Sequence, residues 1–238
     1  MKTLLLEIGS EEIPASYIEP ALEALSTGLL KKLADQRIDC GAARTFGTPR
    51  RLAIEIQAVA EKQLSVTSEV MGPPEKVGFD ADGKPTMAAI KFAEKVGVKV
   101  DRLVVRNTEK GAYLCARITQ RALPTRTILK RILPETILAL PFPKTMRWAN
   151  GTISFARPII SILALFGNQL VSFSLDGLKS GRHTLGHSMM ATGKIKVSEP
   201  EGYADLLRKA HVIADFQERR RMVSEQIAKA AETIGGLV

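Results

Sequence analysis

Metal-ligating and aromatic side chains are scarce in this 238-residue chain, which has two Cys, three His and one Trp, with aromatics at 5%. Cys40 and Cys115 have neither metal-site nor redox spacing, so both read as reduced thiols of a cytosolic protein. So few aromatics argue against a stacking platform for single-stranded RNA. The RNA-recognition-motif signature and zinc-finger spacing do not occur either. Long hydrophobic runs are missing too. The longest, Ile159 to Phe166, is strand-sized and far below the roughly 18 residues that a membrane span needs. The opening Met1-Lys2-Thr3-Leu4-Leu5-Leu6-Glu7 meets an acid too early for a secretory signal.

Motifs for nucleotides and nucleophiles are also lacking. Without a GxxxxGK(S/T) loop or a GxGxxG fingerprint, nucleotide binding has no motif support. Without a GxSxG elbow, an esterase-like nucleophile has none. Asp80-x-Asp82-Gly83 opens like a calcium loop but carries Lys91 where a bidentate Glu is required. His183 and His187 are four apart, yet Gly181 and Gly186 interrupt any helix and no Cys is near, so a basic loop is expected rather than a metal pair. Glu11 and Glu12 are adjacent and point apart. They are expected as carboxylates at a helix N-terminus, not as an acid–base pair.

What is present is an ordinary globular composition, 45% hydrophobic and 25% charged, with an uneven charge. The net charge is +9, from 34 Lys plus Arg against 25 Asp plus Glu. Residues 1–116 balance at 16 of each sign. Residues 117–196 carry 12 basic side chains against two acids, Glu135 and Asp176. Residues 197–238 carry 6 basic and 7 acidic. A segment nearly free of carboxylates cannot neutralise its own cations, so it projects a field that polyanions feel.

Periodicity predicts the elements. Residues 3–8 form a buried strand. A helix starts near Pro14 with Ile18, Leu22, Leu25, Leu29 and Leu33 on one face, and Gly41 is its stop. Leu52, Ile54 and Ile56 alternate as a strand. Gly72-Pro73-Pro74 and Asp82-Gly83 mark a loop-rich stretch, and Thr86 caps a short helix through Val96. Strands near 102–107 and 112–119 form a hairpin across Glu109-Lys110-Gly111. Pro124 to Leu140 is a helix with a kink or restart at Pro134. A second hairpin turns at Gly167-Asn168, a strand follows at 194–198, and helices span about 201–210 and 214–234. The expected class is α+β, with mixed or antiparallel sheets, packed helices and a helical C-terminal end. The expected division is 1–200 and 201–238.

The candidate polyanion contacts are local basic clusters: Arg50 and Arg51 after the Thr48-Pro49 turn, Lys144 and Arg147 beside Trp148, and Arg182 and His187 in a Gly-rich loop. Trp148, after an apolar turn, reads as core. Arg219-Arg220-Arg221, beside Glu218, reads as ion pairing along a helix.

Several blocks resemble the β subunit of bacterial glycyl-tRNA synthetase. They are Leu5-Leu6-Glu7-Ile8-Gly9-Ser10-Glu11-Glu12-Ile13-Pro14, Thr48-Pro49-Arg50-Arg51-Leu52-Ala53, Gly72-Pro73, Phe79-Asp80-Ala81-Asp82-Gly83-Lys84-Pro85, Pro143-Lys144-Thr145-Met146-Arg147-Trp148, Phe155-Ala156-Arg157-Pro158, Gly186-His187, and Val212 through Arg220. They run in family order over nearly the whole chain. One departure is Ser188, where the family tends to place Arg.

The resemblance implies a heterotetramer of two α and two β chains in the cytoplasm. ATP, glycine and Mg²⁺ are then expected on the α subunit and no cofactor or metal in this chain. The implied partners are the α subunit, a second β subunit and tRNA-Gly, with no membrane. The family's β chain is longer, so this sequence is expected to be an N-terminal fragment, inactive alone and without catalytic residues. Its N-terminal part is similar to the B3/B4 editing module of the phenylalanyl-tRNA synthetase β chain. Two other readings stay open at this point: an editing-type hydrolase acting on misacylated tRNA, and a purely structural spacer. Glycine is the smallest amino acid, so a sieve that rejects larger competitors leaves editing little to correct.

Overall fold

The computed structural model describes residues 1–80, 82–109, 111–148 and 151–236. Lys110 of the expected hairpin turn, Ala81 of the Phe79–Pro85 block, and Leu237 and Val238 lie outside the described residues. In chain order the elements are β1 (Lys2–Ser10), α1 (Ala15–Asp35), β2 (Ala43–Thr48), β3 (Arg51–Val59), β4 (Val66–Pro74), α2 (Glu75–Gly78), α3 (Met87–Val96), β5 (Leu103–Thr108) and β6 (Gly111–Gln120). There follow α4 (Thr125–Leu138), β7 (Ile159–Phe166), β8 (Gln169–Leu170), β9 (Ser174–Leu175), β10 (Leu178–Lys179), β11 (His183–Leu185), β12 (Lys194–Lys196), α5 (Tyr203–Lys209) and α6 (Phe216–Thr233). The contacts group them into two units, residues 1–63 with 123–238, and residues 64–122. The mixed α+β class with antiparallel pairing and a C-terminal helix is borne out.

The first unit is built on a five-stranded sheet in the order β2-β3-β1-β7-β8, antiparallel throughout. Strand β1 is at its centre, and eight of its nine residues are buried, because both faces of the sheet are covered. Its even-numbered residues Leu4, Leu6 and Ile8 join an aliphatic core with Leu25, Leu29 and Leu33 of α1 and Leu129, Leu133 and Ile137 of α4. Leu5, on the other face, packs with Phe46, Ala53, Leu163, Leu165, Val197, Tyr203 and Leu207. A strand alternates its side chains, so this one short run supplies both cores.

The predicted helix of Ile18 to Leu33 forms as read, but ends at Asp35 rather than at Gly41. The reversal falls at Arg37, whose φ is 54°. Helix α4 runs through Pro134 without a restart. Glu11 and Glu12 precede α1 and do not enter its first turn, and Glu11 instead pairs with Arg50 at 3.5 Å. Helix α6 starts where Asp215 accepts a bond from Glu218 N at 3.0 Å, the N-cap geometry that Asp-x-x-Glu favours.

The second unit is a three-stranded sheet, β4-β6-β5, with α2 and α3. The expected hairpin is the β5–β6 pair. The stretch read as loop-rich holds strand β4, which ends in Gly72-Pro73-Pro74. Thr86 stands at the start of α3 but does not cap it. Its hydroxyl donates to the carbonyls of Val77 (2.6 Å) and Gly78 (3.2 Å), which ties α3 to α2. On the sheet, Glu69 accepts from Arg106 (3.0 Å) and Arg117 (2.9 Å), and these two bonds hold its carboxyl below the usual range. Among the described residues no helix is long and apolar enough to cross a membrane.

Candidate functional site

Alternation along β1 that gives Leu5 its place also puts Glu7 and Gly9 on the same sheet face, opposite Ala53 and Arg51 of β3. Glu7 is 2% exposed and Arg51 5%. A buried carboxylate needs a partner, and three side chains share the work. Arg51 Nη1 lies 3.6 Å from Glu7 Oε2. The Thr184 hydroxyl donates to the same oxygen at 2.6 Å, and Tyr203 Oη donates to it as well. Arg51 also donates to Thr184 Oγ1 (3.2 Å) and to the Leu185 carbonyl (2.6 Å). Burial, and then the Glu7 charge beside it, push the Tyr203 hydroxyl well above its ordinary pKa. The network clamps β11 and α5 onto the sheet. Arg51 Nε is the one atom of this cluster that is buried without a hydrogen-bond partner among the described residues.

Beside the network two adjoining cavities, of about 210 and 370 Å³, share Arg50, Arg51, Gly186, His187 and Ser188. The inner one is closed by Gly9, Ile160 and Ala191, and the outer one by Glu12, His211 and Arg219. The loop after β11 forms the shared wall, and Gly186-His187 shapes it. A Cβ on Gly186 would stand 2.8 Å from the Ala191 carbonyl oxygen and 2.9 Å from Ala210 Cβ, so only glycine lets the loop close there. His187 Nδ1 accepts from the backbone N–H groups of Met189 and Met190, each at 3.2 Å. That leaves Nε2 as the donor of the neutral ring.

Of the residues singled out by sequence, Arg50, Arg51 and His187 come together at this cleft, and Lys144, Arg147 and Arg182 do not line it. Arg51 is spent on the internal network, while Arg50 is exposed and loosely paired with Glu11. Arg182 is half-buried and donates to the Asn168 carbonyl at 3.3 Å. Lys144 and Arg147 are exposed, with no ion pair among the described residues. Trp148 packs against the aliphatic core, as its apolar turn suggests. His183 sits in β11, pairs across to Lys196 and lines a separate cavity with Lys179 and Lys194. No group of three or more His, Cys, Asp or Glu among the described residues is placed to hold a metal ion.

Sequence reading missed Glu7, Thr184, Tyr203 and Arg219. Glu7 had a signal: a lone acid inside the apolar run Leu4 to Ile8 must find a buried partner. Arg219 had none, since Arg220 and Arg221 beside it are the same residue. Yet Arg219 is half-buried and lines the outer cavity, whereas Arg220 and Arg221 are exposed.

The family model described as glycyl-tRNA synthetase beta subunit matches residues 4–238. The chain is 52% identical, over 236 residues, to the glycine–tRNA ligase beta subunit of Desulfatibacillum aliphaticivorans, an alignment that covers 99% of this chain and 34% of that protein. It is 43% identical to the one from Myxococcus xanthus (98% of this chain, 33% of that protein). It is 41% identical to the one from Moorella thermoacetica (100% and 34%). The chain thus spans about a third of the length of the curated relatives it matches.

Proposed function

The chain belongs to the glycyl-tRNA synthetase beta subunit family, and on that premise we propose that it is the N-terminal portion of a glycine–tRNA ligase beta subunit which binds tRNA-Gly and helps assemble the enzyme, without itself carrying out chemistry. The partners in this reading are a catalytic α subunit, which holds ATP and Mg²⁺, and a second β subunit, all in the cytoplasm. A likeness of residues 1–200 to the B3/B4 module belongs to the same reading.

One observation carries the proposal: the cleft presents cations outward while its deep carboxylate is already engaged. Glu7 is held by Thr184, Tyr203 and Arg51, so it is not free to take a proton from a substrate or a water. Arg50 and Arg219 at the rim suit a phosphate backbone. The test is a titration of the 238-residue chain with tRNA-Gly over a range of salt. Saturable binding that weakens linearly in log–log salt is expected. The absence of binding, with assembly onto the α subunit retained, would reduce the chain to a spacer. Release of alanine or serine from mischarged tRNA would make it a hydrolase.

A further inference from the structure

Arg219 is held by backbone carbonyls and an aromatic ring rather than by a carboxylate. Its Nη1 donates both hydrogens to backbone carbonyls, those of Gly47 (2.9 Å) and Ile213 (2.6 Å). Its guanidinium lies over the Phe216 ring, 5.4 Å from the centroid. These contacts fix the plane and direction of the group. The Nε–Nη2 edge is the one that meets phosphate with two parallel bonds. In Arg219 that edge has no partner among the described residues, and no carboxylate pairs with this side chain. Arg44 and Arg208 show the contrast. Arg44 gives the same edge to Asp215, and Arg208 gives its Nη2 to Glu218. A half-buried, immobilised guanidinium that lines a 370 Å³ cavity, outside ion-pair distance of any carboxylate among the described residues although it feels the charge of Asp215 and shares the cavity wall with Glu12, is a fork set for an anion.

We infer that the outer cavity seats one phosphodiester of the bound RNA, with the Nε–Nη2 edge of Arg219 as its fixed two-pronged anchor and Arg50 as the mobile cation beside it. The inference rests on the reading that this chain binds tRNA, and it adds where and by which residue. Because Arg219 is ordered before RNA arrives, the contact forms without the loss of side-chain freedom that an exposed arginine incurs. Arg220 and Arg221, exposed on the same helix, have no such fixing, and Arg221 is within 3.9 Å of Glu225.

The experiment compares tRNA affinity against salt for the full 238-residue chain and four variants, with a thermal melt of each. Arg219→Gln should weaken binding about tenfold, the size of a strong bidentate contact, and lower the log–log salt slope by about 0.7 to 0.9, the share of one phosphate. Arg219→Lys keeps the charge but not the fork and should recover only part of the affinity. Arg220→Gln should stay within about twofold of wild type. Because Arg219 also ties Gly47 to Ile213, Ser188→Asp is the structure-sparing variant. It places a carboxylate at the mouth of the cleft from an exposed position, and should weaken binding with an unchanged melt. Equal losses in Arg219→Gln and Arg220→Gln, or wild-type binding by both Arg219→Gln and Ser188→Asp, would overturn the inference while the proposed function stands. Titration with inorganic phosphate separates the sources. Phosphate binding lost in Arg219→Gln, with tRNA affinity unchanged, would assign the fork to a free anion and overturn the RNA contact. A wild-type chain with no tRNA affinity overturns the reading beneath it as well.

Discussion

The two faces of the five-stranded sheet are built from alternate residues of the same strands, and they hold their partners by different forces. Toward α1 and α4 the buried side chains are aliphatic: Leu4, Leu6 and Ile8 from β1, Leu52, Ile54 and Ile56 from β3. Toward α5 and β11, Glu7, Arg51 and Glu55 lie at comparable depth among apolar neighbours. Each Leu, Ile or Val sealed on the first face stabilises by about 1.5–3 kcal/mol and is indifferent to small rotations of its partners. An ion pair yields little net stability for its desolvation, but it is demanding about geometry. The second face therefore positions the loop that bears Gly186 and His187, and with it the cleft. The first face supplies the stability on which that positioning rests.

The largest expected effect comes from breaking the polar face. Glu7→Ala strands the Arg51 charge at 5% exposure and should destabilise by about 3–5 kcal/mol in urea denaturation. The double variant Glu7→Leu with Arg51→Met should be more stable than Glu7→Ala alone, since no buried charge then lacks a partner. A double variant as unstable as the single one would mean that the network's value lies in its hydrogen bonds to Thr184 and Tyr203, not in its charges. On the aliphatic face Leu29→Ala, at 0% exposure, should cost about 2–5 kcal/mol. Its tRNA affinity, measured well below the melting temperature, should match wild type. A change in affinity would show that the two faces do not divide their tasks as described.

A smaller effect is expected where the polar face meets the cleft. Gly186→Ala forces a methyl against the Ala191 carbonyl and Ala210, and should cost about 1–3 kcal/mol. It should also weaken tRNA binding more than its stability loss accounts for, because the loop itself must move. Circular dichroism melts beside binding isotherms decide it.

The smallest effect is electrostatic and depends on pH. Burial raises the Asp215 carboxyl, but bonds from Glu218 N and from Arg44 outweigh it and hold the group below its usual value. Its contribution is complete above the unfolded carboxylate pKa of about 3.9 and is lost as pH falls through the lowered folded value. Asp215→Asn should therefore flatten the acid limb of the stability curve by lowering stability at pH 7, modestly because Asn still caps α6, and should change little at about pH 2, where Asp215 itself is protonated. Glu55, on the polar sheet face, has the opposite sign. Burial raises its pKa, so ionised Glu55 opposes folding at neutral pH, and Glu55→Gln should stabilise at pH 7 but not at pH 3. If the two variants respond alike to pH, burial on this face does not control its charges.

Legibility in the sequence followed how local each signal was. Helix α1 was readable because five apolar residues at steps of three and four admit one face. Strand β7 and its turn were readable from an equally local signal, a strand-sized apolar run followed by Gly167-Asn168. Strands β2 and β4 were not. Ala43–Thr48 has no apolar alternation, with Phe46 its one large apolar residue and Gly47 beside it, and β4 ends in Gly72-Pro73-Pro74, which locally is turn chemistry. Their pairing with β3 and β6 overrides that preference.

By itself the sequence determined the α+β class, the aliphatic face of the sheet, the basic excess between residues 117 and 196, and the family, the last through blocks spread over almost the entire chain. Only the tertiary structure decided that residues 64–122 form their own unit, and that Glu7, Thr184 and Tyr203 meet Arg51. It alone separated Arg50 from Arg51, and Arg219 from Arg220 and Arg221. The physical reason is range. Periodicity records which residues share a face of one element, and that is written along the chain. Burial and charge compensation arise between residues up to 196 positions apart, and nothing in a run of identical arginines marks which one the fold will pin to two carbonyls and leave open to an anion.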